Sequence, residues 1–269
     1  FIDYNDQNNP VEFLRKIIHK RICASIVTFF NLDSIQSIQI GTKFLAIDDS
    51  IINNYNIDLY IFNQLKIDLK RAKEKEQSFF TKYDNCGDHL SVFIQYIKYS
   101  ISLVIVGAGN DAIPIMEIAS LLGWEVKVVD GRKSHAKSER FISACQIVVS
   151  KPEAVLSQIN IDNRTCFLLM THNYNYDLNI LKLLINTEVK YIGILGPKKK
   201  LNKMLVDISN DGIKITDDLL NRIYGPTGLN IGAENASEIA ISIIGEILAV
   251  YNNKDGHMLK FIKDSIHTL

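Results

Sequence analysis

Residues 103–112 read Leu-Val-Ile-Val-Gly-Ala-Gly-Asn-Asp-Ala, an unbroken apolar run that passes through a GxGxxA turn into a segment of helical period. Nothing else in the chain restricts the fold as much. Consecutive apolar residues without alternation belong to a strand covered on both faces, and a glycine turn between such a strand and a helix opens a βαβ unit of Rossmann type. Gly107 permits the tight turn and Gly109 lets backbone approach a phosphate. Ala112 allows close helix–strand packing, and Asn110 stands before a helix N-terminus whose N–H groups face an anion. The next strand ends at Asp130, 23 residues after Gly107, against a spacing of about 20 for the acidic residue that holds a ribose hydroxyl. Arg132 would suit an extra phosphate, so NAD and NADP both stay open.

The same texture continues to the C-terminus. Strands are predicted at Ile101–Val106, Glu125–Val129, Gln146–Val149, Thr165–Met170 and Lys190–Leu195. Between them lie a helix to Leu122, a short helix after Val129, another over Pro152–Ile159, and helices marked by the Leu178, Leu181, Leu184 and Leu201–Ile208 periods. A long helix over Ala236–Tyr251 closes the series. Strands alternating with helices give an α/β fold, a parallel sheet with helices on both faces, in the order 3-2-1-4-5. Residues 1–100 differ: Asn, Asp, Ile and Tyr are frequent, and Gly41 is the only glycine before Gly87. Helices over Val11–Lys20 and Leu59–Glu76 and strands at Ile22–Phe29, Lys43–Ile47, Phe79–Tyr83 and Leu90–Tyr96 predict a smaller N-terminal α/β domain. The organisation read here is therefore 1–100 and 101–269. The mixed-sign run Lys70–Glu76 reads as a solvated helix face.

Charge and cysteine content exclude several functions. Lys and Arg number 30 and Asp and Glu 30, with no long basic run, so there is no electrostatic footprint for nucleic acid or an anionic membrane. No stretch approaches the ~20 apolar residues of a membrane span, and residues 1–10 are too polar for a signal-peptide core. A soluble cytoplasmic protein is the expectation. Cys23, Cys86, Cys145 and Cys166 form no CxxC pair, so neither a zinc site nor a disulfide framework is readable. Cys23, Cys145 and Cys166 sit in apolar runs and are expected as buried packing thiols.

Four places gather chemistry at the expected carboxyl edge of the sheet. At the glycine turn, Pro114 is tolerated only in the first helical turn, which makes Asp111 the N-cap, with a carboxylate that would compete with a phosphate for N–H donors. After the fourth strand comes Thr171-His172-Asn173 with Asp177, where His172 can donate a hydrogen bond, move a proton or ligate a metal. The bland alternative is a cap made by Asn173 and Asp177. After the fifth strand, Lys198-Lys199-Lys200 add positive potential suited to a phosphate or carboxylate, or form a solvated helix turn. Finally, residues 224–234 place Gly225, Gly228 and Gly232 within eight positions. Asn235 and Ser237 beside Glu238 cap the following helix, and the glycines beyond that need imply close approach of a ligand or another subunit.

Together, the strand-GAGN turn, Met170-Thr171-His172 with Asp177, Tyr191–Lys198 and Gly225–Glu234 with Glu238-Ile239-Ala240 resemble the XdhC/CoxI family of xanthine dehydrogenase accessory factors, over roughly residues 101–250. The resemblance implies a C-terminal Rossmann domain behind a smaller N-terminal domain and a homodimer. It also implies a non-enzymatic role: binding the molybdenum cofactor (molybdopterin) and delivering it to a xanthine dehydrogenase-type molybdoenzyme. On that reading the cofactor-binding candidates are Gly107, Gly109, Asn110, Asp130, Arg132, His172, Asn173, Lys198, Gly228 and Gly232. The N-terminal half departs from the family, which carries there a Gly-Ser turn and a Gly-Gly-Cys segment. The comparable stretches here read Asn31–Ser37 and Asn53–Asn56, without a thiol. Two alternatives remain open: an NAD(P)-dependent oxidoreductase using Gly107, Gly109 and Asp130 with His172 as acid or base, and a non-catalytic member that only docks a partner enzyme.

Overall fold

The computed structural model describes residues 9–18, 20–31, 40–48, 50–53, 56–85 and 88–262. Cys86 and the polar stretch 32–37 fall outside them. The chain divides between Tyr99 and Ser100 into two compact units.

The first unit contains α1 (Pro10–Ile17), β1 (Ala24–Phe30), β2 (Gly41–Ile47), β3 (Ser50–Asn53), α2 (Leu59–Lys75), β4 (Phe79–Asn85) and β5 (Asp88–Ile97), with an antiparallel sheet in the order β3-β2-β1-β5-β4. Alternation along β1 sends side chains to opposite faces. Val27 and Phe29 join Phe44, Val92 and Ile94 under the α2 stripe of Ile61, Leu65, Leu69 and Ala72. Ala24 and Ile26 instead meet Phe13 and Ile17 of α1, together with Leu45. Each helix begins where a side chain satisfies an orphan N–H: Asn9 accepts from Glu12 N–H and Asp58 from Tyr60 N–H. The four-residue β3 was not readable, because its polar, Asn-rich surroundings carry no period-2 signal.

The second unit contains β6 (Ser102–Val106), α3 (Ala112–Leu121), β7 (Glu125–Asp130), β8 (Gln146–Val149), β9 (Thr165–Leu169), α4 (Tyr174–Leu184), β10 (Ile192–Ile194), α5 (Lys198–Asn210), α6 (Asp217–Leu220), β11 (Ile223–Tyr224) and α7 (Ala236–Tyr251). All its strands are parallel, in the order β11-β10-β9-β6-β7-β8. Counting from β6, that is 3-2-1-4-5-6 read from the far edge, the Rossmann arrangement. Leu103, Ile105 and Leu168 pack under α3 and α7, and Val104, Val106, Phe167 and Leu169 under α4 and α5. The fully buried strands β6 and β9 thus require the unbroken apolar runs seen in the sequence, each such side chain contributing about 1.5–3 kcal/mol on burial. Asn235 and Glu238 form a reciprocal capping box at α7, and Ser237 takes no part in it.

Two expected helices do not form. Residues 131–145 run as consecutive turns, held in part by Arg140, and residues 152–159 make only two 3-10 turns, Pro152–Ala154 and Leu156–Gln158. The packing role expected for the cysteines holds for buried Cys166, whereas Cys145 is exposed and Cys23 half-buried. Both stand just before their strands, where the sheet no longer encloses them. Among the described residues no helix is long and apolar enough to cross a membrane.

Candidate functional site

The register aligns Val106, Val129 and Leu169 across β6, β7 and β9, and Leu169 with Ile194 of β10. The loops that follow these residues therefore leave one edge of the sheet together. Between β6 and β9, where the chain reverses direction across the sheet, lies the crevice in which such folds hold ligands.

The glycine turn is built tightly onto this edge. Gly107 has φ 127, and a β-carbon there would lie 2.6 Å from the Met170 carbonyl oxygen, so the first glycine is demanded by the neighbouring strand rather than by any ligand. A β-carbon at Gly109 would meet only the Asp111 carboxylate. The turn is fastened from β7: Asp130, 2% exposed, accepts from Ala108 N–H at 2.8 Å. Its two oxygens also accept from the Arg132 amide (2.8 Å), Nε (3.0 Å) and Nη2 (2.8 Å). Burial pushes this carboxyl up. The hydrogen bonds from the Arg132 guanidinium and from the Ala108 and Arg132 amides outweigh that effect and hold it below the usual carboxylate range. With four donors bound, Asp130 has no oxygen lone pair left for a ribose diol, and Arg132 is committed to it while half its side chain faces solvent.

Arg140 fastens the other side. Its guanidinium donates to the carbonyls of Ala108 (2.8 Å) and His135 (2.6 Å) and to Asn110 Oδ1 (2.7 Å). Asn110 is thereby turned toward Arg140. Sequence reasoning missed this arginine, because a cation in a polar loop has no periodicity to mark it.

Asp111 does stand at the N-cap of α3, with Pro114 in the first turn, but its side chain makes no capping hydrogen bond. The expected competition for N–H donors does not arise. Instead Asp111 Oδ2 lies 3.3 Å from His172 Nε2, and Asp111 Oδ1 is buried without a hydrogen-bond partner. His172 is exposed and has φ 57, a left-handed backbone for a residue with a β-carbon.

Behind His172 the turn is rigid. Asn173 caps α4 by accepting from Tyr176 N–H at 3.2 Å. Asp177 is not a cap. It is fully buried and accepts from Thr171 Oγ1 (2.6 Å), Thr171 N–H (3.3 Å) and Lys200 Nζ (2.7 Å). Of the three lysines, Lys200 is therefore structural and also donates to the Leu195 carbonyl, while Lys198 and Lys199 are exposed in the first turn of α5.

The last loop joins the same edge where Thr227 N–H donates to the Ile194 carbonyl. Glu246 of α7 holds it, accepting from Gly228 N–H (2.8 Å), Tyr191 Oη (2.7 Å) and Thr227 Oγ1 (3.3 Å). Burial, followed by the Glu246 charge, pushes the Tyr191 phenol well above its ordinary range, so it remains a donor. Gly228 (φ 111) lies against Ser242, where a β-carbon would collide with Oγ, whereas Gly232 is exposed with open space around it. The structure thus gathers Gly107, Gly109, Asn110, Asp130, Arg132 and His172 about one crevice. Asn173 serves the turn and Gly228 the α7 packing. Among the described residues no group of three or more His, Cys, Asp or Glu is placed to hold a metal ion.

Residues 103–247 match the XdhC Rossmann domain. The chain belongs to the XdhC family of xanthine dehydrogenase accessory factors. One relative of this XdhC chain is a probable xanthine dehydrogenase subunit from Bacillus subtilis (strain 168), 32% identical over 158 residues, which are 59% of the chain and 45% of the relative. Another is the uncharacterized protein YqeB from Escherichia coli (strain K12), 31% identical over 176 residues, 65% of the chain and 32% of the relative. The match thus spans less than half the length of either. A crystal structure of a xanthine dehydrogenase from Bacillus halodurans shares the fold, with a TM-score of 0.66 at 23% identity, covering 90% of the XdhC chain and 66% of that one.

Proposed function

We propose that this chain binds a molybdopterin-type cofactor in the β6–β9 crevice and delivers it to a xanthine dehydrogenase-type molybdoenzyme, acting as a cytoplasmic homodimer without turnover of its own. The observation that carries the reading is Asp111, whose buried Oδ1 has no donor and whose Oδ2 faces His172. An orphaned carboxylate oxygen calls for N–H groups. The aminopyrimidinone edge of a pterin brings two, whereas the pyrophosphate of a dinucleotide brings only further acceptors and negative charge. The phosphate end of the cofactor, remote from its pterin edge, would suit the exposed Lys198 and Lys199. The bound group would supply the molybdenum centre of the recipient enzyme; the residues of this chain would orient it and shield it from water. The NAD(P) reading has less support, because Asp130 is closed onto Ala108 and Arg132.

The test is anaerobic titration calorimetry with molybdopterin cofactor and, separately, with NADH and NADPH. Cofactor binding is expected, weakened about 10- to 100-fold in Asp111→Ala through loss of a hydrogen bond to a charged group. Failure to take up cofactor, or heat only with a nicotinamide nucleotide, overturns the reading.

A further inference from the structure

The N-terminal unit contains a cavity of about 270 Å³ under the C-terminal half of α2. Its floor is apolar, made by Ala24, Ala46, Ile51 and Leu69, and its wall carries Lys66, Lys70 and Lys73 with Asp48. The three lysines recur at helical spacing and so share one face of α2. Lys73 is 3.5 Å from Asp48 and Lys70 is 3.8 Å from Glu74, while Lys66 lies over the Phe62 ring, 4.7 Å from its centre. Among the described residues the lining therefore holds three ammonium groups against one carboxylate. Cys23 and Tyr96 also line it.

We infer that this cavity is a binding site for a small monocyclic organic anion, its ring against the apolar floor and its charge toward Lys66, Lys70 and Lys73. Size, polarity and charge each narrow the occupant. The volume lies just under the roughly 300–1,000 Å³ of sites for drug-sized ligands, so it takes one ring and not a dinucleotide. An inorganic ion would leave the floor unused, and a neutral ring would leave the excess positive charge of the described lining unbalanced. The inference concerns the N-terminal unit alone and does not depend on the reading of the crevice.

Cys23 reports on occupancy. In the full reduced chain, alkylation of Cys23 by neutral iodoacetamide is followed by peptide mass spectrometry, with phenyl phosphate as the probe. A probe of this size binds at about millimolar Kd, so about 10 mM should slow Cys23 alkylation roughly tenfold, with saturation. Inorganic phosphate and benzyl alcohol at the same concentration and ionic strength should not. In the triple variant Lys66→Gln, Lys70→Gln, Lys73→Gln, all solvent-facing changes, alkylation without probe should persist and protection should vanish. Absence of protection by phenyl phosphate, equal protection by inorganic phosphate, or protection that survives in the triple variant overturns the inference. Ile51→Trp, which fills the cavity, provides an independent check by abolishing the response to phenyl phosphate.

Discussion

His172 Nε2 lies 3.3 Å from Asp111 Oδ2, across the gap between the end of β9 and the start of α3, and reaches it from a left-handed backbone with φ 57. A left-handed residue with a β-carbon costs about 1–2 kcal/mol, and an exposed pair of this kind returns about 0–1 kcal/mol. The fold does not gain from histidine here. His172→Gly is therefore expected to leave the protein as stable as before or up to about 1 kcal/mol more stable in urea titration, while weakening cofactor binding. A destabilised His172→Gly protein would show that the histidine serves the fold.

The two glycines of the turn separate in the same way. A β-carbon at Gly107 meets the Met170 backbone at 2.6 Å, and at φ 127; neither the strand nor the dihedral can yield. Gly107→Ala should cost about 3 kcal/mol or more. At Gly109 the obstacle is the Asp111 side chain alone, which can swing away, so Gly109→Ala should cost under about 1 kcal/mol and act on ligand affinity instead. Denaturation midpoints of the two variants and of Gly109→Ala with Asp111→Ala decide the matter, the double variant being no less stable than Asp111→Ala alone. Equal losses at both glycines would remove the distinction.

This contrast shows what the sequence could and could not convey. The GxGxxA pattern marked the turn, and the unbroken apolar strands marked a parallel sheet covered on both faces, because both arise from local backbone demands and burial. The partners of Asp130 were hidden: its spacing from Gly107 fits a ribose contact, yet the Ala108 amide and the Arg132 guanidinium engage its oxygens. Arg140 and Lys200 were equally illegible, since their roles rest on carbonyls and a carboxylate brought near only by tertiary packing. In the N-terminal unit, Lys70 and Lys73 do form the solvated face their sequence predicts. That face is also a cavity wall, because β1 starts and β2 ends beside it.

Asp130 makes acid sensitivity predictable. Its folded carboxyl is held below the usual range, so as pH falls the unfolded chain takes up this proton first. The associated stability is full above the unfolded carboxylate pKa of about 4 and is lost as pH drops toward the lower folded value. Asp130→Asn lacks this titration. The stability gap between wild type and Asp130→Asn, measured by urea unfolding, should be greatest near pH 6 and shrink below about pH 4; a gap independent of pH would mean that the charge of Asp130 is not what the turn uses.

Lys200 and Asp177 form an ion pair that is withdrawn from water on both sides, with side-chain exposures of 17% and 0%. Thr171 donates to the same carboxylate, so the pair ties α5 and α4 to the segment that carries His172. Removing one partner of a buried pair leaves the other charge uncompensated, typically at about 3–5 kcal/mol, whereas replacing both by apolar groups is often close to neutral. Lys200→Met should therefore destabilise strongly, and Lys200→Met with Asp177→Leu should recover much of the loss, less about 1–3 kcal/mol for the stranded Thr171 amide; the Thr171 hydroxyl keeps the Asn173 carbonyl as acceptor. Lys198→Met, in the first turn of the same helix but exposed, should change stability by no more than about 0.5 kcal/mol. A thermal-unfolding series of these three variants checks the assignment, and comparable losses for Lys198→Met and Lys200→Met would refute it.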